Sequence, residues 1–213
     1  MVRSLKEKRW HKATLISWLL QVTPFIRFIG VTGSMAHDII RPSSDIDIFI
    51  IAKEKRLWTC RFFSRALLRI LGQLRTGDKF EERSGKICPN RYVSDKYLII
   101  NPQNEYHAQD YVQMIPLFDN GKYYHQFIVT NSWMEEYGYF RPQKVLNLVH
   151  SNTLTFFRKT IEQFLSGKYG ESFEQMAYKR GLKNIKRQFP NLNKPNSSII
   201  ANNNEIRIHT CPR

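Results

Sequence analysis

An α+β fold is what the sequence predicts: a small mixed β-sheet with flanking helices, followed by a helical C-terminal region. Three observations carry this expectation. Residues 25–32 and 45–52 are β-branched and aromatic runs bounded by turn-forming residues, the pattern of buried strands. Residues 6–22 and 55–74 carry apolar side chains at helical spacing. Beyond residue 103 the strand-like runs give way to helical periodicity punctuated by Gly and Pro.

Taken in order, residues 6–22 place Trp10, Ala13, Ile16, Leu19 and Leu20 on a helix that Thr23-Pro24 stops. The first strand, residues 25–32, ends at Gly33-Ser34, and a polar stretch containing Arg41-Pro42-Ser43-Ser44 leads into the second, residues 45–52. Residues 55–74 form a helix with Leu57, Phe62, Phe63, Ala66, Leu67, Ile70 and Leu71 on its apolar face and Arg61, Arg65 and Arg69 at i, i+4, i+8 on another. Strands are expected at residues 87–93 and 97–100, around a turn at Ser94-Asp95. Helices are expected at 104–115, 121–137, 142–166 and 171–188. The tail from Asn191 carries six Asn within fourteen residues and reads as irregular, with Ile206-Arg207-Ile208 as a short strand or latch. The corresponding division is 1–103, 104–190 and 191–213.

Composition narrows the function classes. The chain has 42% hydrophobic and 13% aromatic residues, which excludes collagen-like, coiled-coil and disordered classes. Its formal charge of +15, from 33 Lys+Arg against 18 Asp+Glu, favours anionic partners, from free nucleotides through RNA to anionic lipid, without choosing among them. The charge is uneven: +8 over residues 1–83, +1 over 84–167 and +6 over 168–213. Three widely spaced cysteines without a C-x-x-C, and no signal peptide, point to the cytoplasm and give no zinc signature. The most apolar stretch, residues 13–36, is interrupted by Pro24 and Arg27, so no membrane span is expected.

One constellation carries chemistry. Gly33-Ser34 is followed, after ten residues, by Asp45-Ile46-Asp47 at the head of an apolar strand. Residues i and i+2 of a strand share a face, so Asp45 and Asp47 present two carboxylates together. Such a pair repels itself and is costly to bury unless a cation neutralises it; hard oxygen ligands suit Mg²⁺. Gly33 lets backbone approach a ligand closely, and Ser34 adds a hydroxyl donor. Either half alone is common by chance. The pair at this spacing is not.

This pattern resembles the signature of the DNA polymerase β-type nucleotidyltransferase superfamily in its minimal form. It is specific over residues 29–51, with looser likeness to about residue 137 through Arg56-Leu57-Trp58-Thr59, Lys86-Ile87-Cys88-Pro89-Asn90 and Asn104-Glu105-Tyr106-His107-Ala108. The resemblance implies a small mixed-sheet nucleotidyltransferase domain. It would transfer a nucleoside monophosphate from an NTP, with ATP the first expectation, to a hydroxyl on a protein, an RNA end or a small molecule, releasing pyrophosphate. Gly33 and Ser34 would hold the triphosphate and Asp45 and Asp47 would ligate Mg²⁺, two ions if a third ligand exists; Ser44 is a further candidate for nucleotide contact. Arg61 and Arg65 are further candidates for nucleotide contact, although a basic stripe on an amphipathic helix is also an ordinary solvated face.

The later strand departs from the pattern. It contains no acid where the superfamily places a third carboxylate; Asn90 is the expected occupant, with Asp95, Glu81 or Glu82 reaching in from loops. Two other expectations therefore stand beside the enzyme: a pseudoenzyme that binds nucleotide or RNA without transfer, and the nucleotidyltransferase partner of a toxin–antitoxin pair. Lys179-Arg180, Lys183 and Lys186-Arg187 form a second basic cluster suited to RNA.

Overall fold

The computed structural model describes residues 4–137, 149–194 and 197–208. A six-stranded sheet holds the chain together, in spatial order β4-β1-β2-β3-β6-β5. Its strands are β1 (Ile26–Val31), β2 (Ile46–Ala52), β3 (Ile87–Ser94), β4 (Ile115–Asp119), β5 (Ile200–Ala201) and β6 (Glu205–Arg207). β2 and β3 run parallel, joined by the crossover helix α3 (Leu57–Ile70), and every other neighbouring pair is antiparallel. The mixed α+β architecture read from the sequence is the one observed.

Strand alternation divides the core. On β2, Ile46, Ile48, Ile50 and Ala52 pack on one face with α1 (Leu5–Leu20), α3 and α8 (Gly167–Gln188), through Ile16, Leu20, Trp58, Leu68, Ala177 and Ile185. Phe49 and Ile51 pack on the other face with α5 (Glu105–Val112) and α6 (Tyr123–Thr130), through Tyr111, Tyr124 and Phe127. A strand apolar on both faces is the continuous hydrophobic run seen in the sequence. The remaining helices are two single turns, α2 (Gly33–Ala36) and α4 (Phe80–Arg83), and α7 (Asn152–Phe164); a 3-10 segment spans Ser132–Tyr137.

Several expectations are corrected. Residues 97–100 form no strand: the Ile100 N–H donates to Asn131 Oδ1 (2.8 Å) and Asn131 Nδ2 donates to Leu98 O (2.9 Å), so a side chain satisfies this backbone. The helix expected over 104–115 ends at Val112, and Ile115–Asp119 becomes β4. Pro116 is tolerated there because β4 is an edge strand, where a missing donor costs no ladder bond. The tail is not irregular throughout: β6 pairs with β3, matching Tyr92 with Ile206, so the latch reading of that segment holds. The boundaries at 103 and 190 consequently do not separate the sheet, which draws strands from all three segments. Helix α8 starts at Gly167 rather than 171, and the helix expected over 142–166 is seen as α7 from Asn152; its first part, with Tyr139, Phe140 and Cys211, lies outside the described residues. No helix among the described residues is long and apolar enough to cross a membrane.

Candidate metal centre

Asp45 and Asp47 stand at the N-terminal end of β2, where the sheet opens toward α2. Asp47 is 9% exposed and points to the face opposite Ile46 and Ile48. Gly33, the first residue of α2, has φ +64° and lies against it: a Cβ on Gly33 would sit 2.7 Å from Asp47 Oδ2. The Thr32 N–H donates to Asp47 O (3.1 Å), fixing the approach of the chain. The two halves of the sequence motif thus meet in space, and only glycine fits both the left-handed backbone and the close contact.

The parallel register sets Asp47 directly beside Cys88 of β3. Ligand atoms of Asp45, Asp47 and Cys88 all lie within 4.8 Å of one another, forming the one such acid–thiol group of three or more among the described residues. Asn90, two residues further along β3 and 3% exposed, donates from Nδ2 to Asp47 Oδ1 at 3.3 Å, while its own Oδ1 is buried without a partner.

Arg75, in the loop between α3 and α4, supplies the opposing charge. Its Nη1 is 2.5 Å from Asp45 Oδ2 and 3.8 Å from Cys88 Sγ, and its Nη2 is 2.6 Å from Asp78 Oδ1. Burial works against this guanidinium, but Cys88, Asp45 and Asp78 more than offset it and raise its pKa. Arg9 of α1 stands nearby, bonded to Pro42 O (2.9 Å) and Ser84 Oγ (3.3 Å); burial lowers its pKa and the charge of Asp45 opposes that.

The electrostatics are those of a centre short of positive charge. Burial, then the charges of Asp45 and Asp110, hold the Asp47 carboxyl well above the usual carboxylate range, against the pull of Arg75 and Cys88. Burial, then Asp47 and Asp45, push the Cys88 thiol up in the same way. Two carboxylates and a thiol beside an unpartnered amide oxygen form a donor set that a divalent cation fits.

The expected site residues fall into two groups. Gly33, Asp45, Asp47 and Asn90 are brought together, with Ser34 beside Gly33 in the single turn of α2. Ser44 closes a turn: its hydroxyl accepts the Arg41 N–H (3.3 Å), and its carbonyl accepts the Gly85 N–H (2.9 Å). Arg61 and Arg65 belong to α3, on the sheet face away from Asp47. Arg61 lies over the Trp58 ring (5.7 Å), and burial, then Arg65, lower its pKa to about 10. The crossover geometry explains their absence from the site: α3 packs on the Ile46/Ile48/Ile50 face, whereas Asp47 faces the other way.

The candidate third carboxylates fare similarly. Asp95 accepts the Glu54 N–H (2.9 Å) at the far end of the strand pair, five residues or about 17 Å along β2 from Asp47. Glu82 accepts the Lys79 N–H (3.3 Å) at the start of α4, and neither it nor Glu81 joins the cluster. The residues that sequence reasoning missed are Cys88, Arg75, Arg9 and Asp110, the last on α5 beside Asn90 in a small cavity shared with Arg91 and Arg207. Cys88 had a legible signal, because a parallel β2/β3 pair places a residue near the start of β3 beside Asp47. Arg75 and Arg9 had none.

No protein-family model, no curated protein and no solved structure matches the chain.

Proposed function

We propose that the chain is a metal-dependent nucleotidyltransferase that moves an NMP from an NTP to an acceptor hydroxyl with release of pyrophosphate. The observation that carries this reading is the meeting of Gly33 with Asp47 at 2.7 Å from a would-be Cβ, with Asp45 on the same side. A glycine turn and a carboxylate pair serve a triphosphate and its cation only if they touch, and they do. A bound divalent cation supplies charge neutralisation at the transferring phosphoryl group. Asp45 and Asp47 would hold it, Asn90 would fix the orientation of Asp47, and the backbone at Gly33-Ser34 would set the phosphates beside it. The acceptor oxygen then forms a bond to the α-phosphorus as the bond to the β-phosphate oxygen breaks, the leaving pyrophosphate taking the electron pair and the hydroxyl proton passing to water. Arg75 and Arg9 ring the centre with positive charge suited to the same triphosphate.

The acceptor is best matched by RNA. On α8, Lys179, Arg180, Lys183, Lys186 and Arg187 are all exposed, and Ala177, Gly181 and Ile185 are buried on the opposite side. A second reading, nucleotide or RNA binding without transfer, is favoured by one observation: Asn90 and Cys88 stand on β3 where a third acid is wanted. Incubation with labelled NTPs, a divalent cation and RNA or cell extract tests both. Transfer should label an acceptor and release pyrophosphate, and Asp47→Ala should lower the rate at least about 100-fold. Nucleotide binding without pyrophosphate release would establish the second reading, and labelling that survives Asp47→Ala would overturn the first.

A further inference from the structure

Resting on the metal-dependent reading above, we propose that Cys88 is a thiolate ligand of the centre and that the site selects a borderline-soft divalent cation, Zn²⁺ or Co²⁺ in kind, over Mg²⁺. The parallel pairing of Asp47 with Cys88 puts their side chains on one face of the sheet, so Sγ joins the two carboxylates within 4.8 Å. An ion bound about 2.0–2.3 Å from each donor sets tetrahedral ligands about 3.4–3.8 Å apart, so three side chains whose ligand atoms lie within 4.8 Å of one another close on it with shifts of up to about 1 Å. Thiolate sulfur discriminates strongly between metals: it favours zinc and its neighbours and is a poor partner for Mg²⁺, which demands oxygen.

A separate observation points to a ligand at this place. Asn90 is 3% exposed, its carboxamide lies at the cluster, and its Oδ1 is buried with no hydrogen-bond partner. An unsatisfied buried acceptor is costly. A half-turn of the carboxamide, exchanging the present Nδ2 bond to Asp47 for coordination, would give that oxygen a partner and make it the fourth donor, after Asp45, Asp47 and Cys88. Arg75 currently supplies part of the positive charge, and its second nitrogen already bonds Asp78, which is 90% exposed at its side chain. A cation bound here would take over the charge that Arg75 now offers Asp45, leaving Arg75 to its Asp78 contact, and the Cys88 proton would pass to water.

Co²⁺ titrated into the full chain reads the thiolate directly, through its sulfur-to-metal charge-transfer absorption. The band should appear in the wild type and vanish in Cys88→Ser, which keeps Cys60 and Cys211. Zn²⁺ affinity, measured by calorimetry, should fall at least about 10- to 100-fold in the same variant while Mg²⁺ affinity is unchanged. Co²⁺ binding without the band in the wild type, a band that survives Cys88→Ser, or Mg²⁺ bound as tightly as Zn²⁺ would each overturn the assignment and leave the nucleotidyl-transfer reading standing. Failure of Zn²⁺, Co²⁺ and Mg²⁺ alike to bind, with and without NTP, would overturn both.

Discussion

Gly33 and Gly72 share nearly the same backbone, φ +64° and +63°, but a Cβ at Gly72 would meet nothing within 4 Å whereas one at Gly33 would strike Asp47 Oδ2. The two positions separate conformational strain from site geometry. Gly72→Ala should cost about 1–2 kcal/mol of stability, the left-handed penalty alone. Gly33→Ala should cost more and also displace the Asp47 carboxylate; urea unfolding of the two variants, with cation binding measured on each, checks this. At this scale the motif was legible, because chain spacing and strand alternation alone put Gly33 and the two aspartates in one argument. Arg75 was not legible, since it lies in a loop with no periodicity and reaches Asp45 only through the crossover from α3 back to β3. Arg61 and Arg65 misled for the same reason: helical spacing shows which side chains share a face, but not which face of the sheet the helix covers.

Elements are joined here by buried charge. Arg91 of β3 and Glu205 of β6 pair at 2.6 Å with side chains 1% and 3% exposed, and Arg207 lies beside Glu205 at 3.8 Å. The β5–β6 pair is thereby fixed to β3. His107 ties α5 to this network. Its Nδ1 lies 2.9 Å from Asn104 Oδ1, an acceptor, so Nδ1 carries the proton; Nε2, 3.1 Å from Arg207 Nη1, accepts from the guanidinium. Protonating Nε2 would set a cation against Arg207, and burial, then Arg91 and Arg207, lower the His107 pKa to about 4. The unfolded chain has the ordinary pKa of 6.5, so between that pH and about 4 it binds a proton the folded state refuses. Stability from His107 is thus full above pH 6.5 and falls as pH drops through this window, by an amount on the order of 1–3 kcal/mol. His107→Gln, whose amide oxygen still accepts from Arg207, should flatten the fall; thermal melts across this pH range measure it, and an unchanged slope would count against the assigned tautomer. A related contact secures α3: Glu174 of α8 accepts from the Trp58 N–H (2.9 Å), the Thr59 N–H (2.7 Å) and the Thr59 hydroxyl (2.6 Å), capping a helix whose own N-cap residue, Arg56, offers no side-chain bond.

The net charge of +15 acts on the molecule as a whole. Part of it is spent internally, through Arg75 on Asp45, Arg91 on Glu205, and Arg27 with Arg158 on Glu162. Among the described residues, Lys179, Arg180, Lys183, Lys186 and Arg187 of α8 form no ion pair and are exposed. The α8 stripe follows i, i+1, i+4, i+7, i+8 and runs about 12 Å along the helix, enough for two or three backbone phosphates. RNA binding should therefore be steeply salt-dependent. Lys183→Ala with Arg187→Ala should weaken it across sequences and lower the slope of log affinity against log salt by about 2. Filter binding at several salt concentrations reads both, and an unaltered slope would place the RNA contact elsewhere or remove it.

By itself the sequence determined the α+β class, β1 through β3, the helix after β2, a short strand or latch in the tail, and Gly33 with the Asp45/Asp47 pair as candidates for one site. These follow from short-range rules: side-chain alternation, helical period and the conformational needs of glycine. Only the tertiary structure decided that residues 115–119 join the sheet, that Asn131 holds residues 98–100, and that Cys88, Asn90 and Arg75 complete the centre. Those outcomes depend on register and on which sheet face each helix covers, and both are fixed by packing among segments far apart in the chain.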